Sequence, residues 1–282
     1  MGLRLLLSDS DSMTPQALLA KLSSRHFRRK NGLCMAEGLR CATTAITLRP
    51  QDVLAIYCTT QFQQSPHWTE LASLAPVKPT VVEEEMFAEM ADTETPQGVA
   101  TVLRIPDHGQ PNALGHPFTL ILDAVADPGN LGTILRTAWA VGLDSCWLVK
   151  GCAAPFSPKS VRAGMGAQFA LRIHAFSSLE EAASLARTLG TREVWCTMPA
   201  TGISLFDTEY QIDGATLVIG NEANGITHPE VGRAVTIPMP GHAAESLNAA
   251  QAATVFLVES LRTHTSLAPT RKHHEQSCAD IG

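Results

Sequence analysis

From residue 37 onward, short apolar runs alternate with stretches in which apolar residues recur every three or four positions. The runs at 53–58, 77–82 and 99–105 are rich in β-branched residues, which predicts strands. Residues 37–47 and the segment after Pro66 carry helical spacing, so 21–106 reads as a small α/β domain. The breaker-rich stretch from Pro106 to Pro117 predicts a linker over 107–117. Beyond it, strand-like runs at 119–125, 145–149, 171–176, 193–198, 215–220 and 235–239 alternate with helical patterns at 131–141, 179–189 and 246–264. That alternation predicts a second α/β domain over 118–264, a mainly parallel sheet covered by helices on both faces. Ser246 is placed to cap the last helix, ahead of the helix formers Ala249-Ala-Gln-Ala-Ala253. Residues 1–20 and 265–282 are polar and lack periodicity, and they predict a flexible leader and a disordered tail.

Composition fits a soluble globular protein, with 45% apolar residues and a formal net charge of −6. No stretch approaches the roughly 20 apolar residues of a membrane span, and the opening Met1-Gly-Leu-Arg is followed by too short an apolar run for a signal peptide. A cytoplasmic protein is expected. Seven cysteines without a Cys-x-x-Cys pair suit reduced thiols rather than a disulfide frame or zinc site, and the histidines have no ligand spacing. No metal is expected. The net charge excludes a uniformly basic surface, but cations cluster locally. Lys21, Arg25, Arg28, Arg29, Lys30, Arg40 and Arg49 face a single acid, Glu37, over the stretch 21–49. This is either a phosphate-binding surface or a solvated helix face. Residues 145–175 contain Lys150, Lys159, Arg162 and Arg172 and no acid, either an RNA-backbone contact or an exposed basic loop. Glu83, Glu84, Glu85, Glu89, Asp92 and Glu94 form an acidic cluster, expected to face away from any RNA.

Chemistry gathers in the second half. Asp127-Pro-Gly-Asn-Leu-Gly132 is a turn between a strand and a helix, where ligands of open α/β sheets bind. It lacks Gly-x-Gly-x-x-Gly, and the chain has no Gly-Lys-Ser/Thr, which disfavours a dinucleotide enzyme or NTPase. Arg136 follows Asn130 by six residues and is expected to fold back toward the loop. Leu217-Val-Ile-Gly220-Asn-Glu222 ends an apolar run at a glycine, which is either a plain turn or a close backbone approach to a ligand. Ile237-Pro-Met239 offers a strand end and an apolar seat for a planar ring.

In order, residue type and spacing, Asn130-Leu-Gly132-Thr-Ile-Leu-Arg136, Gly220-Asn-Glu222-Ala-Asn-Gly225, and Ile237-Pro-Met239 with Glu245-Ser-Leu-Asn248 resemble the three motifs of the SpoU/TrmH family. These are 2'-O-ribose RNA methyltransferases of the knotted SPOUT class. Residues 21–40 and Thr95-Pro-Gln-Gly98 resemble that family's small RNA-binding domain, and the likeness spans roughly 21–263. The resemblance implies an α/β domain with a deep trefoil knot, S-adenosylmethionine (AdoMet) as cofactor, and a homodimer. It implies catalytic roles for Asn130, Arg136, Glu222, Ser246 and Asn248, and a cofactor site at Met198, Gly220, Ile237, Met239 and Leu247. RNA contacts fall to Arg25, Arg28, Arg29, Lys30, Arg40, Lys159 and Arg162. Arginine stays protonated under nearly all conditions and so makes a poor proton acceptor, which suits Arg136 better to phosphate binding and alkoxide stabilisation. The extra domain implies ribosomal RNA; a transfer-RNA enzyme and a non-catalytic RNA-binding member are the alternatives. Two positions depart from the family pattern, Gly164 and Ala250, each where a serine is usual.

Overall fold

The structure, a computed structural model of the 282-residue chain, describes residues 17, 18, 21, 24–240 and 247–263. The expected tail, and the expected leader apart from residues 17 and 18, lie outside the described residues.

The first half forms a four-stranded sheet from β1 (Leu33–Glu37), β2 (Val53–Thr59), β3 (Thr80–Val82) and β4 (Val99–Arg104), in the order β1-β4-β2-β3. β4 runs antiparallel to β1 and β2, while β3 joins β2 in parallel. Helices α1 (Arg25–Asn31), α2 (Leu39–Leu48), α3 (Thr60–Gln63), α4 (Trp68–Leu74) and α5 (Glu84–Met90) connect and cover it. Three of these elements leave no period in the sequence. α1 is short and basic, closed by Ser24, whose hydroxyl accepts from Phe27 N at 3.4 Å, and by Gly32 at φ 61°. β1 is buried at every position, so no alternation marks it. α5 begins inside the acidic cluster, where Glu84 and Glu85 meet the positive end of the helix dipole.

The second half is a seven-stranded parallel sheet. Its strands are β5 (Thr119–Leu122), β6 (Ser145–Val149), β7 (Arg172–Phe176), β8 (Val194–Thr197), β9 (Ile203–Ser204), β10 (Thr216–Ile219) and β11 (Arg233–Thr236). They lie in the order β7-β6-β5-β10-β8-β11-β9, so the chain reaches one edge at β9 and then returns to the middle with β10. Helices α6 (Pro128–Ala140), α7 (Pro158–Gly164), α8 (Leu179–Thr188) and α9 (Ala249–Thr263) pack around it. The strand expected at 235–239 lies earlier. Pairing with β8 runs from Arg233–Trp195 to Val235–Thr197, and Pro238, which has no N–H to donate, follows outside the ladder. One core face packs Leu120, Leu122 and Leu217 of the sheet against Leu131 and Leu135 of α6 and Ala253, Phe256 and Leu257 of α9.

The two halves share a hydrophobic cluster, with Phe156, Val161 and Phe169 packed among Cys41, Ala45, Ile46 and Ile56. Arg49 Nε donates to the Phe169 carbonyl at 3.0 Å, and Arg162 pairs with Asp92 at 2.9 Å. α7 therefore lies at the seam, buried at Pro158, Ser160, Val161 and Gly164. The Gly164 departure has a packing reason here. A Cβ at 164 would lie 2.6 Å from Gln168 Oε1, and the buried Gln168 amide fills that space, donating to the Ser160 carbonyl at 2.7 Å.

Candidate active site

A pocket of about 540 Å³ opens at the carboxyl edge of β8, β10 and β11. That volume is within the usual range for small-molecule sites, about 300–1,000 Å³. Met198 and Pro199 follow β8, Gly220 follows β10, Ile237 and Met239 follow β11, and Leu247, Ala249, Ala252 and Phe256 close the far wall. All five positions expected to hold the cofactor, Met198, Gly220, Ile237, Met239 and Leu247, line this one pocket. Ala250 does not line it. It is buried against the sheet, where a small apolar side chain fits.

The pocket's rim is a tight loop. Asn221 and Gly225 exchange backbone hydrogen bonds at 2.9 and 3.0 Å, and Asn221 Oδ1 accepts from Ala223 N and Asn224 N. Asn221 Nδ2 donates to the Ala124 carbonyl at 2.8 Å, tying the loop to the end of β5. Below it, the fully buried Asp123 accepts from Thr227 N at 2.6 Å and Thr227 Oγ1 at 2.9 Å. Asn221 and Asp123 have no assigned role in the sequence reading. The available signal for Asp123 was an acid ending the wholly apolar run Leu120-Ile-Leu.

Three sequence-distant side chains meet at the pocket mouth. Asn130 Nδ2 donates to Glu222 Oε1 at 2.6 Å, and Asn248 Nδ2 donates to Asn130 Oδ1 at 3.2 Å. Asn130 is set by the first turn of α6. Asp127 caps that helix, accepting from Asn130 N at 2.8 Å, and Pro128 supplies a pre-set φ at the helix start. This bond, with Lys159 3.3 Å away, holds the Asp127 carboxyl below the usual carboxylate range. Asn248 Oδ1 accepts from Ala250 N at 2.9 Å and Gln251 N at 3.4 Å, so Asn248 caps α9. The cap expected from Ser246 thus falls to Asn248; Ser246 itself lies outside the described residues.

Arg136 is not at this mouth. Six residues along α6 is about 9 Å of rise and roughly 240° of rotation from Asn130. Arg136 is exposed and lines a second cavity, beside Leu39 and Arg40 of α2. Among the expected RNA contacts, Arg25, Arg29, Lys30, Arg40 and Lys159 are exposed. Arg28 is buried on the inner side of α1, where desolvation lowers its pKa. Arg162 is engaged by Asp92, so one acid of the cluster expected to face away from any RNA meets a cation expected to contact it. Burial pushes the thiols of Cys152 and Cys196 up to about 12, so both are protonated at neutral pH. Among the described residues, no group of three or more His, Cys, Asp or Glu is arranged to hold a metal. No helix among them is long and apolar enough to cross a membrane.

Solved structures similar to this chain include RNA methyltransferases. The family model described as the SpoU rRNA Methylase family matches residues 117–258, and that of the MRM3-like substrate binding domain matches 17–101. The chain belongs to the SpoU rRNA methylase family. It is 30% identical to the structure of a TrmH-family protein from Porphyromonas gingivalis, covering 91% of this chain and 100% of that one, with a TM-score of 0.74. The SpoU methyltransferase AviRb from Streptomyces viridochromogenes, solved in complex with AdoMet, is 27% identical over 90% of this chain and 98% of its own, with a TM-score of 0.77. The Bacillus subtilis 23S rRNA guanosine 2'-O-methyltransferase RlmP is 34% identical, covering 63% of this chain and 70% of its own.

Proposed function

We propose that this protein transfers a methyl group from AdoMet to a ribose 2'-hydroxyl of ribosomal RNA. The observation that carries this reading is the meeting of Asn130, Glu222 and Asn248 at the mouth of a pocket walled by Met198, Gly220, Ile237, Met239 and Leu247. The pocket residues fit AdoMet in kind: apolar side chains for an adenine ring, backbone exposed at Gly220, and one carboxylate, Glu222, for polar groups. Bound there, AdoMet supplies an electrophilic methyl group, so the chain needs neither a metal nor a covalent nucleophile. Its own task is alignment. Asn130 is held from both sides by Glu222 and Asn248, which fixes its amide and leaves a polar rim for a ribose. Ser246 belongs beside the same hydroxyl in this reading.

Arg136 supplies a permanent positive charge for the adjacent phosphate and the developing alkoxide. It does not line its own pocket, and we place it at the pocket of a second copy. The exposed Val258 and Leu261 of α9 support a homodimer contact. The trefoil knot is part of the same reading, supported by the return of β10 to the sheet's middle after β9. So are a recognition domain at 21–106, a linker at 107–117, a catalytic domain at 118–264, and a cytoplasmic location. Neither departure favours a non-catalytic protein, since Gly164 and Ala250 are both accounted for by packing.

The test is transfer of labelled methyl from AdoMet to undermodified ribosomal and transfer RNA pools, followed by alkaline hydrolysis. Label in alkali-resistant dinucleotides from ribosomal RNA is expected. Label in transfer RNA alone would overturn the substrate, and AdoMet binding with no transfer to either pool would overturn the reaction.

A further inference from the structure

The second cavity, about 580 Å³, lies between the two halves and away from the pocket described above. Its walls are Leu39, Arg40, Thr43 and Thr44 of α2, Glu70 of α4, Arg136, Trp139 and Ala140 of α6, and Met165. Trp139 is 38% exposed, whereas Trp147 and Trp195 are buried in the core. An indole left in solvent on a cavity wall offers a flat apolar face. Met165 adds a second soft surface, held at φ 51°, a conformation that residues other than glycine rarely adopt.

The cavity also carries positive charge. Lys159, Arg162, Arg172, Arg233 and Arg262 each lie within ion-pairing distance of a carboxylate. Arg40 and Arg136 do not, among the described residues, although both face this cavity. One acid, Glu70, shares the lining with them. Two guanidiniums with no carboxylate in ion-pairing distance among the described residues share this lining with an exposed indole, which matches a phosphate next to an unstacked base. RNA would bring phosphate charge to both cations, and a second copy whose pocket mouth reaches Arg136 would hold that RNA beside them.

We propose that the cleft between α2 and α6 is a nucleotide subsite, in which one unpaired RNA base lies on Trp139 and its phosphate sits between Arg40 and Arg136. The subsite rests on the RNA methyltransferase reading and deepens it. It gives the N-terminal half a defined contact beside the ribose held in the pocket of the second copy, and it selects RNA that is single-stranded at the neighbouring position.

The test is binding of a fluorescein-labelled single-stranded RNA of about ten nucleotides, a length within the range of known single-strand sites. Affinity is followed by anisotropy for the full chain and for Trp139→Ala, Trp139→Phe and Arg40→Gln. AdoMet affinity and particle mass are measured on the same samples. Trp139→Ala is expected to weaken RNA binding about tenfold or more, while Trp139→Phe keeps most of it. Arg40→Gln should weaken it and reduce the dependence on salt by about one phosphate contact. AdoMet affinity and mass should stay unchanged. RNA affinity unaltered in both Trp139→Ala and Arg40→Gln overturns the subsite, and so does a change of mass in Trp139→Ala with RNA affinity retained. Should Trp139→Ala fail to fold, Arg40→Gln decides alone by its affinity and salt slope. Wild-type protein that binds this RNA through Trp139 but methylates no RNA would overturn the enzyme reading and leave the subsite standing.

Discussion

Substitution of Gly220 by alanine is the sharpest probe of the pocket. Its new Cβ would lie 2.5 Å from Gly225 C and 2.6 Å from Ile226 N, both backbone atoms. Relief to an ordinary contact of about 3.4 Å requires the opposite side of the loop to move about 0.9 Å. That side is anchored. Asn221 and Gly225 are joined by two backbone bonds, and Thr227 just beyond is held by the buried Asp123 at 2.6 and 2.9 Å. Overpacking of this kind costs about 1–3 kcal/mol. The loop therefore opens rather than absorbing the strain. A penalty of about 2 kcal/mol appears as a roughly 30-fold loss of AdoMet affinity, since each 1.4 kcal/mol is tenfold. Gly225→Ala is the control. Gly225 has φ 68°, yet nothing lies within 4 Å of its Cβ, so only the backbone cost of about 1–2 kcal/mol applies. Calorimetric titration with AdoMet and thermal melts of both variants check the ranking. Gly220→Ala binding AdoMet within twofold of wild type, at an unchanged Tm, would refute the reasoning.

Arg136→Ala should leave the fold and AdoMet affinity intact and lower turnover at least about 100-fold, measured as initial rates on undermodified RNA. Near-normal turnover removes it from the mechanism. Glu222→Ala frees the Asn130 amide, so AdoMet affinity and turnover should both fall; unchanged titration curves would count against the assignment. If Arg136 serves the partner's pocket, mixing the inactive Arg136→Ala and Glu222→Ala proteins should restore activity, because a mixed dimer holds one site with both residues intact. No recovery after subunit exchange places Arg136 and Glu222 in one chain's site. Asp127→Ala should cost about 1 kcal/mol as a lost helix cap. The Asn130 N–H, together with Lys159, depresses the Asp127 pKa, so its stabilisation is full above the unfolded value near 3.8 and is lost as pH falls through the lower native value. Denaturant melts of the two proteins should therefore converge only in acid; a constant gap across that range would contradict the assignment.

The parallel sheet was the most legible part of the sequence, because strands buried on both faces read as short continuous apolar runs. The same burial hid β1, which lies directly before a helix and lacks alternation. α7 escaped for a related reason. It is wedged between the halves, burying Pro158, Ser160, Val161 and Gly164 in a pattern set by two neighbours rather than one. Helix period alone also misplaces Arg136. It gives the roughly 240° between Arg136 and Asn130, but the packing of α9 on α6, marked by Thr254 beside Thr137 at 3.5 Å, decides which direction faces the pocket.

The candidate site residues were proposed through likeness to a family, one position at a time, and their linkage could not be read that way. Nothing in the spacing of Asn130, Glu222 and Asn248 states that the first bridges the other two. That follows from β5 and β10 being adjacent in parallel, which brings the loop after each strand to the same edge, and from α9 starting over that edge. The departures show the converse. Read singly, Gly164 in place of serine suggests a lost function. With Gln168 in view it has a packing reason, because the buried amide occupies the space beside Gly164 and bonds the backbone at Ser160. Position-by-position comparison counts residue 164 as a loss, while the Asn130–Glu222 bond at 2.6 Å stands apart from it.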